Sequence, residues 1–362
     1  MSLIQQIPDG PLDIIGDIHG EYDALLNLLK HLGYDYAGNH PNGRTIVFVG
    51  DFCDRGPNSP AVLALIEQLI VAKRAVAVLG NHELNLLRAE AKDGSGWFFT
   101  ERVERDNHKY SPYKKVEQLD REKIISFLLT LPIALEREDL RVVHAAWMQD
   151  QVQILKSRSI GSQIQSYVEW DQLAHDHASD FLSSMKTELE DWNFSLEDQH
   201  NEPPFLHAHA AHDSVKQMMN PLRVLTSGVE RKGGSPFYSS GKWRFSERVQ
   251  WWDEYDSQVP VVIGHYWRRV SKIDRSTVGK GDPDLFSGTH PYAWHGIHSN
   301  VFCVDFSVGG RWVARKKSKV PETDFKLAAL RWPERTLCFD DGEVVETIGY
   351  QASIKKLGYQ YE

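Results

Sequence analysis

The chain has 362 residues, of which 41% are hydrophobic and 25% charged, an ordinary balance for a folded globular chain that excludes disorder over most of its length. At roughly 150 residues per domain this length allows two domains, or one with a large insertion. The formal charge of −9, from 41 basic against 50 acidic side chains, has the wrong sign for a general nucleic-acid binder.

The apolar runs 46–49 and 259–263 fall far short of the roughly 20 residues a membrane span needs. Residues 1–16 show no basic stretch followed by an apolar core, so no secretory signal is expected. The three cysteines, Cys53, Cys303 and Cys338, match neither a zinc spacing nor an even-numbered disulfide framework, and a reducing, cytoplasmic setting is expected.

Residues 12–15 are a short apolar run ending in Gly-Asp, the first predicted strand. Residues 21–32 carry Tyr22, Leu25, Leu26, Leu29 and Leu32 at helical spacing, with Gly33 as the stop. Residues 45–49 are a β-branched strand, again ending in Gly-Asp. A helix is predicted over 59–73, with Ser59 as cap and Pro60 in the first turn. Residues 75–79 are a third strand ending in Gly-Asn, 120–131 a helix, and 140–143 a strand ending in His144. This alternation predicts a largely parallel sheet with covered faces.

From about 149 to 258 polar and aromatic residues mix, 188–202 is acidic, and the segment holds His207, His209, His212, Trp243, Trp251 and Trp252. It is read as an inserted, mostly helical lobe. Strand character returns at 260–264 and 300–307, and 327–332 and 336–339 flank Pro333-Glu334-Arg335 as a terminal hairpin. The basic cluster 311–319 is read as a solvated strand edge rather than an RNA site. The expected organisation is one catalytic domain in two parts, 1–148 and 259–362, separated by the lobe 149–258.

Metal-capable residues collect where the strands end. The first strand runs into Gly16-Asp17-Ile18-His19-Gly20, the second into Gly50-Asp51-Phe52-Cys53-Asp54-Arg55-Gly56, and the third into Gly80-Asn81-His82-Glu83. Later strands end in His144 and His265. The carboxyl ends of a parallel sheet share one edge, where ligands collect. Asp17, His19, Asp51, Asn81, His144 and His265 are therefore expected to converge.

Carboxylate, imidazole and amide donors without thiolate suit manganese, iron or zinc. Six donors around one central aspartate suit two ions about 4 Å apart that share a carboxylate, whereas one ion needs only three or four. A single Gly-Asp or His at a strand end is an ordinary turn residue. Three such strings in order, followed by two strand-end histidines, are what carry the reading. His207, His209 and His212 have no such strand context.

The strings GDIHG (16–20), GDFCDRG (50–56) and GNHE (80–83) resemble the signature blocks of the phosphoprotein-phosphatase group of calcineurin-like metallophosphoesterases, which includes serine/threonine phosphatases and symmetrical diadenosine tetraphosphatases. VVHAAW (142–147) and VVIGHY (261–266) resemble the strand-end histidine blocks that follow. The resemblance implies an α/β fold of four layers, a β-sandwich flanked by helices. It implies two divalent metal ions bridged by Asp51, most simply manganese, with iron or zinc as alternatives. One ion would be held by Asp17 and His19, the other by Asn81, His144 and His265. It also implies His82 as general acid, Asp54 as its orienting carboxylate, and Arg55 with Asn81 as phosphate contacts.

The physical roles agree: two cations activate a hydroxide and polarise phosphoryl oxygens, an imidazolium protonates a leaving alkoxide, and a guanidinium forks onto phosphate. The substrate would be a phosphorylated small molecule, nucleotide or phosphoprotein, with no membrane or general nucleic-acid partner.

The leading expectation is hydrolysis of phosphate monoesters, phosphoserine and phosphothreonine included. The alternative is a bis(5'-nucleosyl)-tetraphosphatase, and the rival from another class is an inactive binding module. After His144 comes Ala-Ala-Trp rather than the His-Gly-Gly of the protein phosphatases, whose tryptophan-serine-aspartate block is also missing. Residues 304–312 (VDFSVGGRW) resemble the closing strands of the tetraphosphatases instead. Arg231 and Arg244 are candidates for a second phosphate contact. The tryptophans of the lobe are read as core before base-stacking platforms.

Overall fold

The computed structural model describes residues 1–239, 241–272, 274–275, 281–317 and 322–351. In chain order its strands are β1 (Ile4–Gln6), β2 (Leu12–Ile15), β3 (Thr45–Phe48), β4 (Ala75–Ala77), β5 (Ala134–Arg137), β6 (Leu140–Val143), β7 (Glu230–Ser239), β8 (Lys242–Arg248), β9 (Val261–Ile263), β10 (Val301–Cys303), β11 (Ala328–Trp332), β12 (Thr336–Phe339) and β13 (Val344–Glu346). One sheet has the order β1-β5-β6-β9-β10 and a second the order β13-β12-β11-β2-β3-β4.

Strand periodicity builds the sandwich. Leu12, Ile14, Val47 and Val49 of the second sheet meet Leu135, Leu140, Val142, Val262 and Phe302 of the first in the layer between them. The alternate residues, Ile15, Ile46 and Phe48 on one side and Ala134, Val143, Val261 and Ile263 on the other, face the outer layers. Each central strand is thus buried on both faces and reads as a continuous apolar run. Helix Tyr22–Leu32 covers the second sheet with Leu25, Leu28 and Leu32, and helix Ser59–Val71 with Val62, Leu63 and Ile66. This is the expected four-layer α/β arrangement.

The two sheets of the expected sandwich are both mixed rather than largely parallel. β2, β3 and β4 run parallel, as do β6, β9 and β10. β5 and β6 are antiparallel, because Glu138 and Asp139 alone join them and a parallel return needs a crossover of about a dozen residues or more. The predicted terminal hairpin forms as β11–β12, antiparallel, with β11 also antiparallel to β2.

Gly33 ends the first helix in the left-handed conformation at φ +100°, its N–H reaching the carbonyls of Leu29 and Lys30. The cap of the second helix is Asn58 rather than Ser59: Asn58 accepts from the Ala61 amide, which frees the Ser59 hydroxyl to accept from the Asp54 amide.

Segment 149–258 forms helices Gln149–Lys156, Gln163–Ala178, Leu182–Trp192, His207–Met218 and Pro221–Ser227, then the β7–β8 hairpin. Tyr167, Leu222, Leu225, Trp251 and Trp252 join the main core, while Leu206, Ala210, Trp243 and Phe245 form a cluster of their own. The basic cluster is a helix, Arg311–Lys317, not a strand edge. Trp312 and Val313 turn inward onto Tyr110 and Phe325, and Arg311 and Arg315 pair with Asp340 and Glu21. Its residues 318 and 319 lie outside the described residues.

At the start of β2, away from its carboxyl end, Asp13 is fully buried. It accepts from Arg44 Nε at 3.0 and 2.9 Å, Arg331 Nε at 3.1 Å and the Tyr34 hydroxyl at 2.8 Å. Arg44 continues to Glu334 at 2.7 Å and to the carbonyls of Leu12 and Trp332, which ties β2 to the closing hairpin. Arg44→Met would leave the Asp13 carboxylate without the guanidinium whose Nε–H bridges both its oxygens. It is expected to lower unfolding free energy by about 3–5 kcal/mol in urea titrations. Glu334→Gln, at the half-exposed end of the chain of contacts, is expected to cost no more than about 1 kcal/mol.

Candidate dinuclear metal centre

The strand-end residues of both sheets meet at one edge of the sandwich. Asp17, Asp51 and Asn81 follow β2, β3 and β4 of one sheet, and His144 and His265 follow β6 and β9 of the other. The expected convergence therefore takes place between two sheets rather than along one.

The turns are conformationally costly. His19, Asp51, Asp54, Arg55 and His265 all have positive φ, between +47° and +72°, a region few side-chain-bearing residues adopt and one that clusters at functional sites. Backbone also crowds the carboxylates. A Cβ on Gly80 would fall 2.2 Å from Asp51 Oδ1, and one on Gly264 2.1 Å from Asp17 Oδ1.

Hydrogen bonds set which nitrogen each imidazole offers. His19 Nδ1–H donates to the Cys53 carbonyl at 3.0 Å and His144 Nδ1–H to the Val49 carbonyl at 2.8 Å. A carbonyl can only accept, so both rings hold Nδ1 outward and turn Nε2 to the interior. His144 Nε2 lies 3.3 Å from Asp51 Oδ2 and 3.3 Å from Asn81 Oδ1. His19 Nε2 lies 3.8 Å from Asp51 Oδ2 and 3.9 Å from Asp17 Oδ2. Two groups of donors, His19–Asp51–His82 and Asp51–His144–His265, share Asp51. The His265 amide donates to both oxygens of Asp17 at 3.1 Å, and its ring meets that of His144 edge to face at 5.1 Å.

The charges are concentrated and dry. Burial, then the neighbouring Asp305 carboxylate, pushes the Asp17 carboxyl well up. Burial opposes ionisation of Asp51 too, but the imidazoles of His144, His82 and His19 outweigh it and hold that carboxyl well below the usual range. Burial likewise opposes the charged form of His144, yet Asp51 and Asp17 lift it to about 10. Burial, then the Arg55 guanidinium, pushes His19 well down. Two buried carboxylates, inward Nε2 nitrogens and an amide oxygen, without a thiolate, fit divalent cations of the manganese, iron or zinc type.

Beside this set, His82 Nδ1 donates to Asp54 Oδ2 at 2.5 Å, and the Trp97 indole N–H donates to Asp54 Oδ1 at 2.6 Å. Arg55 Nη1 and Nη2 donate to His19 Nε2 at 2.8 Å and His82 Nε2 at 3.0 Å. A cation bound at His19 needs that same lone pair, so Arg55 has to yield it.

Two further residues hold the site together and were not assigned roles from the sequence. Trp97 carried no motif. Glu83 is fully buried and accepts from the amides of Asp51 at 2.8 Å, Phe52 at 2.8 Å and Gly80 at 3.0 Å, which staples the 50–53 turn to the start of helix Asn81–Leu87. Its signal was legible, since an acidic residue at the third helical position reaches back to the cap amide.

The other candidates lie elsewhere. Arg231 forms a bidentate pair with Glu254 at 2.7 and 2.5 Å, with about half of each side chain exposed. Arg244 sits in the β7–β8 hairpin, its charge destabilised first by burial, which Asp213 and Glu230 offset only in part. His207, His209 and His212 do not converge: they bond Lys232, Glu188 and Asp213 respectively.

A family model for calcineurin-like phosphoesterases matches residues 10–225, more than half of the chain. The chain belongs to the calcineurin-like phosphoesterase family. Among curated relatives it is similar to the asymmetrical bis(5'-nucleosyl)-tetraphosphatase PrpE of Halalkalibacterium halodurans, 48% identical over 21% of this chain and 32% of that one. The corresponding protein of Bacillus cereus is 33% identical over 39% of this chain and 59% of its own length. The chain thus spans about a third of the first of these calcineurin-like relatives and under two thirds of the second.

Solved structures similar in fold include a protein serine/threonine phosphatase of Saccharomyces cerevisiae, with a TM-score of 0.45 at 14% identity, covering 97% of this chain and 85% of that one. A cold-active protein-tyrosine phosphatase of Shewanella has a TM-score of 0.46 at 17% identity, covering 94% and 82%.

Asp51→Asn removes the charge that both donor groups share. Metal analysis after dialysis against manganese is expected to fall from two ions per chain towards none. Two ions retained would remove Asp51 from the bridging position.

Proposed function

We propose that the chain is a divalent-metal-dependent phosphoesterase acting on phosphate monoesters, phosphoserine and phosphothreonine included. Asp17, His19, Asp51, Asn81, His144 and His265 serve as metal ligands. His82 is the general acid, Asp54 its orienting carboxylate, and Arg55 with Asn81 the phosphate contact. The observation that carries the reading is the Asp54–His82 pair, at 2.5 Å, beside the Asp51 carboxylate that His19, His144 and His265 surround. Manganese is the expected ion, with iron or zinc as alternatives. Bound cations would supply Lewis acidity, making water a nucleophile at neutral pH and neutralising charge on the phosphoryl oxygens.

The protein's own part is positional. Asp54 occupies His82 Nδ1–H, so the proton given to the leaving oxygen has to sit on Nε2, the nitrogen that faces the site. Trp97 and the Ser59 hydroxyl hold Asp54 itself. Arg55 presents its N–H fork to two phosphate oxygens once it has released both His19 and His82.

A buttressed acid is worth most where the leaving group is a poor one, and an alkoxide is poorer than a polyphosphate. This ranks monoesters ahead of dinucleoside polyphosphates. The second reading, a bis(5'-nucleosyl)-tetraphosphatase, is favoured by the 33% identity to the Bacillus cereus tetraphosphatase. An inactive binding module is disfavoured, because no residue proposed as acid or ligand is missing from the sequence. A cytoplasmic setting belongs to the same proposal, on the strength of three buried, unpaired cysteines. No described helix is long and apolar enough to cross a membrane.

A manganese-supplemented assay of p-nitrophenyl phosphate, phosphopeptides, bis-p-nitrophenyl phosphate and diadenosine tetraphosphate is expected to give the highest kcat/KM on a monoester. Far faster cleavage of the tetraphosphate would install the second reading in its place.

His82→Asn is expected to keep both metals and to lower turnover of an alkyl phosphate by roughly 10²–10⁴. The loss should be smaller for p-nitrophenyl phosphate, whose phenolate leaves without a proton. Equal losses on the two substrates, or loss of metal, would move His82 into the metal shell.

A further inference from the structure

Arg55 is held in an unusual way. Among the described residues its guanidinium has two imidazoles and an indole, not a carboxylate, within contact distance. The guanidinium carbon stands 5.2 Å from the centre of the Trp267 ring. A carboxylate would engage the N–H edge, the same edge a phosphate needs. An aromatic face attracts the cation through its π-cloud and leaves the N–H edge to neutral imidazoles, which a phosphate can displace, rather than to a carboxylate.

Trp267 is in turn fixed at some conformational cost. Its φ is +56°, in the region that favours glycine, and its amide donates to Asp305 Oδ2 at 2.8 Å. Asp305 Oδ1 accepts from the amide of Ser307, also left-handed at φ +65°, at 2.7 Å. The Ser307 hydroxyl closes the loop by donating to the Arg268 carbonyl at 2.8 Å. One buried carboxylate thus clasps the turn after β9 to the turn after β10. Trp267 follows His265 by two residues, so a proposed metal ligand and the platform for Arg55 ride on one turn, backed by the Tyr110–Trp312–Phe325 cluster.

We propose that Trp267 is a positioning residue, whose indole face fixes the Arg55 guanidinium with its N–H fork directed into the site. The proposal rests on the reading of Arg55 as a phosphate contact. Positioning of this kind governs how well phosphate is held more than how many metals are bound.

The test uses the full chain loaded with manganese. Trp267→Leu is expected to raise KM for p-nitrophenyl phosphate and the inhibition constant of inorganic phosphate together, by about three- to thirtyfold, with metal content unchanged. Trp267→Phe keeps a ring face and is expected to stay within about threefold of wild type. It also controls for misfolding of the leucine variant. In an Arg55→Ala background Trp267→Leu is expected to add nothing, as for two residues that act as one unit.

Unchanged KM and inhibition constant in Trp267→Leu would overturn the proposal. So would a full, multiplicative loss on top of Arg55→Ala, which would mark Trp267 as structural. A wild-type chain that cleaves no phosphoester would overturn the phosphoesterase reading instead. Calorimetric titration of inorganic phosphate into wild type and variants would still read the Trp267–Arg55 coupling in that case.

Discussion

The Asp51 carboxylate is the point on which the site turns. It is almost wholly buried, and His144, His19 and His82 all approach its Oδ2, at 3.3, 3.8 and 3.9 Å. A buried charge so placed needs compensation on every side. The histidines supply part of it, and bound cations would supply the rest. Much of the nearby chain is arranged to deliver this one group: Asp51 itself is left-handed, Gly80 gives it room, the His82 amide bonds its Oδ1 at 3.0 Å, and Glu83 grips its amide.

That arrangement explains why two sheets are needed. A single strand end offers one or two side chains, and six donors from one parallel edge would be strung out at the spacing between strands, about 4.8 Å per step. Stacking two sheets brings a second row of strand ends across the gap, so that His144 and His265 close over Asp51 and Asp17. The apolar layer between the sheets, with Ile14, Val47, Val142 and Phe302 in it, is what fixes that distance. The Asp13–Arg44–Arg331 network clasps the opposite end of β2 and keeps the closing hairpin in register with it.

Electrostatics divides the labour among similar residues. His144 sits between two carboxylates and favours the charged form, while His19, beside the Arg55 guanidinium, favours the neutral one. Arg55 is kept by imidazoles and an indole rather than by an acid, which preserves its affinity for an anion. The tryptophans follow a related logic. Trp251 and Trp252 are core, as the sequence suggested, but Trp97 and Trp267 each present a specific edge or face to a group in the site.

Local sequence alone was enough to locate the central strands that carry the site, though not β1, β5, β7, β8 or β13, together with the helix stop at Gly33 and the strings that place Asp17, His19, Asp51, Asn81, His144 and His265 at strand ends. Period-two burial and glycine turns are short-range properties, and they are written within a few residues of where they act. Tertiary structure decided what depends on residues far apart in the chain. It split the strands into two mixed sheets, turned the basic cluster into a packed helix through Trp312 and Val313, and spent Arg231 on Glu254 rather than on the site. It also recruited Trp97 to Asp54 and Trp267 to Arg55, across 43 residues in the first case. Such pairings leave no local pattern, because a hydrogen bond or a ring face is specified by where two distant segments come to rest, and the shared core sets that position.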